Sequence, residues 1–143
     1  MFMGEYRHSL DAKNRLIVPA KLRDELGSSF VVTKGLDGCL AVYTQERWLA
    51  MLAKLNQIPS TKKEARSYVR SLTSKALECT LDNQGRIQLS SYLIAAAAIE
   101  KACVIIGASD HVEIWSEARW TEYEEQADES FEMVAESLTE FLQ

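Results

Sequence analysis

Short runs in which apolar and polar residues alternate predict strands over 6–10 and 15–18, and again over 30–33 and 39–43. Between the two pairs, Pro19 suits the first turn of a short helix and Gly27 its end. Gly35-Leu36-Asp37-Gly38 reads as a hairpin turn, and Thr44 as the N-cap of a helix that places Trp48, Met51, Leu52 and Leu55 on one face. The pattern then shifts to a period near 3.6. Pro59 and the capping-box form Thr61-x-x-Glu64 predict a linker helix with the apolar stripe Ala65, Tyr68, Val69, Leu72 and Ala76. Lys62, Arg66 and Arg70 line another face of it at four-residue spacing, as a solvated surface does. A last helix after Ser116 carries Trp120, Tyr123, Ala127, Phe131, Val134, Leu138 and Phe141 on one face and acids on the rest. So long a stripe needs a partner, either the linker helices or a neighbouring subunit.

The pattern repeats within the chain. Leu10-Asp11-Ala12-Lys13-Asn14-Arg15-Leu16 recurs 71 positions later as Leu81-Asp82-Asn83-Gln84-Gly85-Arg86-Ile87, with Val18 answered by Leu89 and Leu22 by Leu93. Residues 35–48 match 107–120 at an offset of 72, which requires one inserted residue, and Arg47-Trp48 returns as Arg119-Trp120. Two copies are too few for a solenoid, which needs about three. They predict a pseudo-two-fold pair in which each copy covers the apolar face of the other. Each copy then reads strand, turn, strand, short helix, strand, turn, strand, helix.

The 143 residues carry a net charge of −5, but its distribution matters more than its sum. Residues 1–72 carry +5 and the remainder −10, so an acidic partner is expected at the N-terminal half, and attraction between halves or subunits is an alternative. No apolar run nears the roughly 18 residues of a membrane span, and the N-terminus lacks a signal pattern, so a cytoplasmic location is expected. Cys39, Cys79 and Cys103 are widely spaced and read as buried hydrophobes. With only His8 and His111 beside them, neither a metal nor another cofactor is expected. No nucleophile elbow, paired-carboxylate motif or phosphate-cradling glycine loop is present, so no enzyme and no small-molecule substrate are expected.

The Asp-x-x-x-Arg turn followed by LIVPAKLR resembles the SpoVT/AbrB class of DNA-binding domains. The doubled motif and the opening MFMGEYRHSLDAKNRLIVPAKLR make the chain similar to the MraZ family over nearly its full length. That resemblance implies an α+β, β-rich fold in which two swapped-hairpin, AbrB-like β-barrel half-units form an intrachain pseudo-dimer, with linker and C-terminal helices. The implied boundaries are 5–47 and 76–119 for the two domains, 48–75 for the linker and 120–143 for the acidic tail. It also implies a nucleoid-associated transcriptional regulator, closed into a homo-oligomeric ring. Such a regulator binds double-stranded DNA at direct repeats in the promoter of the division and cell-wall gene cluster.

The residues supply a physical reason for the motif. Asp11, at the base of a tight turn, can take backbone donors and aim Arg15, and Asp82 can do the same for Arg86, so both aspartates are expected to shape turns. Arg7, Lys13 and Arg15 form the expected DNA contact, with Lys21, Arg23 and Arg86 in second rank: cations for phosphates and an arginine for a guanine edge. The family pattern has glycine where Asn14 stands, and asparagine tolerates the same left-handed backbone. The second copy is poorer in cations, with Gln84 for Lys13, Ser90 for Pro19 and Ile94 for Arg23. The competing expectation is a ring-forming structural protein without specific DNA binding, favoured by the acidic half and the amphipathic tail.

Overall fold

In a computed structural model describing residues 1–143, the first repeat forms β1 (Glu5–Ser9), β2 (Arg15–Ile17), α1 (Ala20–Leu26), β3 (Ser29–Lys34), β4 (Leu40–Thr44) and α2 (Gln45–Asn56). The linker helix α3 (Lys63–Ser74) follows. The second repeat forms β5 (Leu77–Thr80), β6 (Arg86–Gln88), α4 (Ser91–Ala96), β7 (Ala102–Gly107), β8 (Val112–Ser116) and α5 (Glu117–Glu129), and the chain ends in α6 (Phe131–Ser137) and a 3-10 turn at Thr139–Phe141. Thr44 caps α2 by accepting from the Arg47 amide at 3.1 Å, and Ser116 caps α5 from Arg119 in the same way.

The repeats exchange strands. Six strands form one antiparallel sheet in the order β1-β7-β8-β4-β3-β5, and β2 pairs with β6 in a separate ribbon. Each repeat's first strand therefore pairs with the third strand of the other: Arg7 lies opposite Val104, and Glu78 opposite Val31. The registers place a pseudo-two-fold axis. Leu16 faces Ile87 at the centre of the ribbon, and Ala41 faces Glu113 at the centre of the sheet. The intrachain pseudo-dimer of an α+β fold is thus present, with the swapped hairpins.

Closure into barrels is not. β2 and β6 pair only with one another, and their turns carry them across the sheet face, so β1 and β5 remain the edges of an open sheet. The main core fills the gap this makes: Leu16 and Ile87 of the ribbon and Leu22, Leu26 and Leu93 of α1 and α4 pack on Phe30, Val32, Val42, Cys103 and Ile114 of the sheet. All three cysteines are buried, where desolvation pushes the Cys39 thiol up to about 12 and those of Cys79 and Cys103 to about 11. The opposite sheet face carries α2 and α3 through Val31, Trp48 and Leu72, and α5 through Val104, Trp115 and Trp120.

Three expectations are corrected. The repeat offset of 71 in the hairpins becomes 73 in the third strands, where Phe30 corresponds to Cys103, before settling at 72; Gly107 therefore occupies the place of Lys34, not Gly35. Thr61 and Glu64 form no capping box, because Thr61 is drawn into a turn closed by the Lys62 amide on the Pro59 carbonyl (3.0 Å), and α3 starts at Lys63 without a side-chain cap. The last helix is not continuous. It breaks at Ser130, whose hydroxyl turns back to the Gln126 carbonyl (3.1 Å), and the apolar stripe wraps a concavity of about 550 Å³ lined by Tyr123, Ala127, Phe131, Val134, Leu138 and Leu142.

The halves are locked by two equivalent arginines. Arg119 of α5 donates to the Gly38 carbonyl in the first repeat's hairpin turn (2.9 Å), and a side chain at Gly38 would collide with it. Arg47 of α2 reaches the matching turn of the second repeat, at Asp110 (2.9 Å). Asp110 and Glu113 hold the two ring nitrogens of His111 at 2.7 and 2.9 Å, and the Tyr43 ring lies tilted beside it at 5.6 Å between centroids. Glu113, then Asp110, raise the His111 pKa above its ordinary 6.5, and partial burial opposes them. The stability it contributes is full below pH 6.5 and is lost as the pH rises through the folded-state value. Melting temperatures measured across that range should fall on the alkaline side, and His111→Gln should flatten the dependence; an unchanged slope in the variant would locate the titration elsewhere.

Candidate nucleic-acid interface

The β1–β2 and β5–β6 turns are built alike. Asp11 Oδ1 accepts from the amides of Lys13 and Arg15, both at 2.9 Å, and Oδ2 accepts from Arg15 Nε at 2.7 Å. The Asn14 amide closes on the Asp11 carbonyl at 3.0 Å with Asn14 at φ 62°, a left-handed backbone that asparagine accepts. In the second turn Asp82 accepts from the amides of Gln84 and Arg86 at 2.9 Å and from Arg86 Nε at 2.8 Å, with Gly85 at φ 75°. The Arg15 amide and guanidinium and the Lys13 amide hold Asp11 at about 2, against its desolvation. Asp82 is lowered for the same reasons, led by the Arg86 amide. Both carboxylates stay charged and fix the arginines by their Nε edge.

Across the axis the turns form one surface. Val18 donates to the Gly85 carbonyl and Leu89 to the Asn14 carbonyl, both at 2.9 Å, extending the ribbon at each end. Arg86 Nη1 stands 3.7 Å from Asp11 Oδ2, so the first carboxylate lies between both guanidiniums. Gln88 Nε2 donates to the Lys13 carbonyl at 3.2 Å. The Arg15 side chain is 30% exposed and its Nη groups meet no protein acceptor. A guanidinium anchored through Nε with its far edge open can donate two parallel hydrogen bonds to a guanine edge or a phosphate.

The structure separates the expected contact residues. Lys13 lies exposed on the turn beside Arg15, and Lys21 is exposed on α1. Arg23 is braced within the protein: its Nε donates to the Val18 carbonyl at 2.7 Å and its guanidinium lies over Gly85, where an added Cβ would come within 2.3 Å. That contact explains why glycine stands in the second turn where asparagine serves in the first. Arg7 is not brought to the turns. It shares with Val104 the sheet face that carries α5, and pairs there with Glu5 and Glu117, each at 3.3 Å. Sequence reasoning missed the Asp11–Arg86 approach and the Arg23–Gly85 packing, since both depend on the two turns meeting at the axis. No group of three His, Cys, Asp or Glu residues is placed to hold a metal ion, and no helix is long and apolar enough to cross a membrane.

Comparison with known proteins places this architecture. A family model described as "MraZ protein, putative antitoxin-like" matches the chain twice, over residues 1–71 and 72–142. The transcriptional regulator MraZ of Ligilactobacillus salivarius (strain UCC118) is 54% identical over 141 residues, covering 99% of each chain. The protein of that name from Natranaerobius thermophilus is 52% identical with the same coverage. That of Lactiplantibacillus plantarum (strain ATCC BAA-793 / NCIMB 8826 / WCFS1) is 48% identical over 99% of this chain and 100% of its own.

Proposed function

The chain belongs to the MraZ family, a family of transcriptional regulators, and from that premise we infer that it is a sequence-specific DNA-binding regulator whose reading surface is the β2–β6 ribbon. The observation that carries this reading is the pair of guanidiniums fixed side by side on one ribbon, Arg15 with its Nη edge open and Arg86 with one Nη leaning towards Asp11. Arg15 reads a base edge with Lys13 beside it on the same turn, Lys21 meets phosphates, and Arg86 contributes from the second turn. Arg23 acts by bracing the Gly85 turn, and Arg7 stands outside the contact. The target is the promoter of the division and cell-wall gene cluster, read at direct repeats, and the protein works in the cytoplasm on the nucleoid without small-molecule substrate or cofactor.

Several copies close into a ring. Phe131, Val134, Leu138 and Phe141 of the acidic C-terminal segment are 45–73% exposed. The groove between α2 and α3 offers Leu55, Ile58 and Val69 beside Arg66 and Arg70, apolar and cationic where the tail is apolar and anionic. The tail of one copy docking in this groove of the next is a head-to-tail contact, which repeats until the ring closes. Val134→Glu with Leu138→Glu changes two half-exposed positions, so the fold should persist while sedimentation falls from well above a dimer to a monomer. A ring unchanged by both substitutions would place the interface elsewhere.

The test of function is a mobility shift with the promoter upstream of the chain's own gene. Sequence-dependent, salt-sensitive retardation supports the regulator. A sharply defined ring that retards no DNA would support the structural alternative.

A further inference from the structure

The ribbon's backbone obeys its two-fold axis, but its exposed side chains do not. At equivalent positions the first turn carries Ala12, Lys13 and Asn14, and the second Asn83, Gln84 and Gly85. Phosphates cannot tell these faces apart, because the duplex backbone has two-fold symmetry of its own; base edges can. Lys13 has three donors and no acceptor, so with the open edge of Arg15 it suits the N7 and O6 acceptors of guanine. Asn83 and Gln84 present amides, each a donor beside an acceptor, which match the N6 and N7 of adenine. Both are exposed, and neither side chain has a partner within the protein; only the Gln84 main chain is used, by Asp82. Gln88, by contrast, spends its amide on the Lys13 carbonyl.

Resting on the ribbon as the DNA-reading surface, we propose that the chain docks on the duplex in one orientation only, its Lys13–Arg15 turn over a guanine half-site and its Asn83–Arg86 turn over a half-site containing adenine. Asn83 and Gln84 become specificity-determining residues, although the second copy is poor in cations. Direction follows as well. Copies joined head to tail and docked in one orientation require sites that all point the same way, so repeats must be direct and not inverted.

The axis supplies matched positions for a directional probe. Ala20 and Ser91 are equivalent, exposed and outside the reading set, while the native cysteines are 3%, 6% and 0% exposed. Ala20→Cys and Ser91→Cys, each carrying an iron–EDTA cleavage reagent, are bound as full chains to duplexes that the unlabelled protein has selected from a random-sequence pool. Each conjugate should cut one flank of every site over the other by about tenfold, within the range set by one good base contact, and the two conjugates should cut opposite flanks. Repeating the selection with Gln84→Lys should shift that half-site from adenine towards guanine. Equal cutting on both flanks by either conjugate, or a palindromic wild-type site, overturns the single orientation and leaves DNA binding intact. Failure of the unlabelled protein to select any sequence overturns the DNA reading itself.

Discussion

Arg15→Ala should lower operator affinity by about 5- to 150-fold for each engaged copy while leaving the fold in place. A good two-hydrogen-bond contact to a base discriminates by about 1–3 kcal/mol, and the Nη edge that makes it is the part of Arg15 the protein leaves open. The fold should tolerate the change because Leu16, not Arg15, fills the core, and Asp11 keeps its amide donors from residues 13 and 15. If several copies engage one operator, as the proposed ring requires, the loss compounds, and titration of the intact promoter should show little specific binding by a variant with a native melting profile. Arg15→Lys should rescue poorly: an ammonium retains the charge but not the planar fork that meets Asp11 through one edge and the base through another. Arg86→Ala should cost less, since its side chain is only 22% exposed and one Nη already leans towards Asp11. Unchanged specific binding by folded Arg15→Ala would remove the ribbon from the reading surface; a larger loss from Arg86→Ala would move the principal contact to the second turn.

The paired turns were legible because the signal is local and occurs twice. An aspartate four residues before an arginine, with a left-handed residue between, forms the same hydrogen bonds in both copies whatever surrounds them. The pseudo-two-fold pairing followed from the repeat as well, since two copies with one apolar face each must cover one another, whereas the exchange of strands was implied only by the resemblance to the MraZ family. Geometry that joins distant segments was not legible. Arg7 and Arg15 look alike as nearby cations, yet the strand alternation of β1 sends Arg7 to the α5 face while the turn lifts Arg15 onto the ribbon. Arg23 reads in sequence as one more cation, because nothing local points to Gly85, which lies 62 positions away in sequence and against its guanidinium. The 3.6-residue period of the tail passes through Ser130 without interruption, so periodicity alone could not announce the break there. Barrel closure is likewise a matter of which edge each hairpin meets, and three-residue strands such as β2 and β6 carry no pattern that decides it.

Inserting half a helical turn between two operator repeats should weaken binding by orders of magnitude, whereas inserting a full turn should restore most of it. A single ribbon offers one fully open guanidinium edge, that of Arg15, and few free cations, so one copy on one repeat should bind poorly. A ring presents the same ribbon many times, and once one copy is docked the next meets its repeat at an effective concentration that can raise affinity by about two to four orders of magnitude. That gain exists only if neighbouring ribbons meet the same face of the duplex, which requires repeats spaced near a helical turn of about 10 base pairs or a multiple of it. Five added base pairs rotate the second repeat to the far side; ten return it at a greater distance, which a ring can span through a more distant copy. The experiment is a spacing series on one operator at fixed salt, because each phosphate contact makes affinity salt-dependent and would otherwise blur the comparison. The ring-dissociating pair Val134→Glu and Leu138→Glu supplies the control: its affinity should be weak at every spacing, with no periodic term. Equal binding to half-turn and full-turn insertions would show that copies do not engage repeats through equivalent faces, and multivalent reading would fail even with Arg15 still essential.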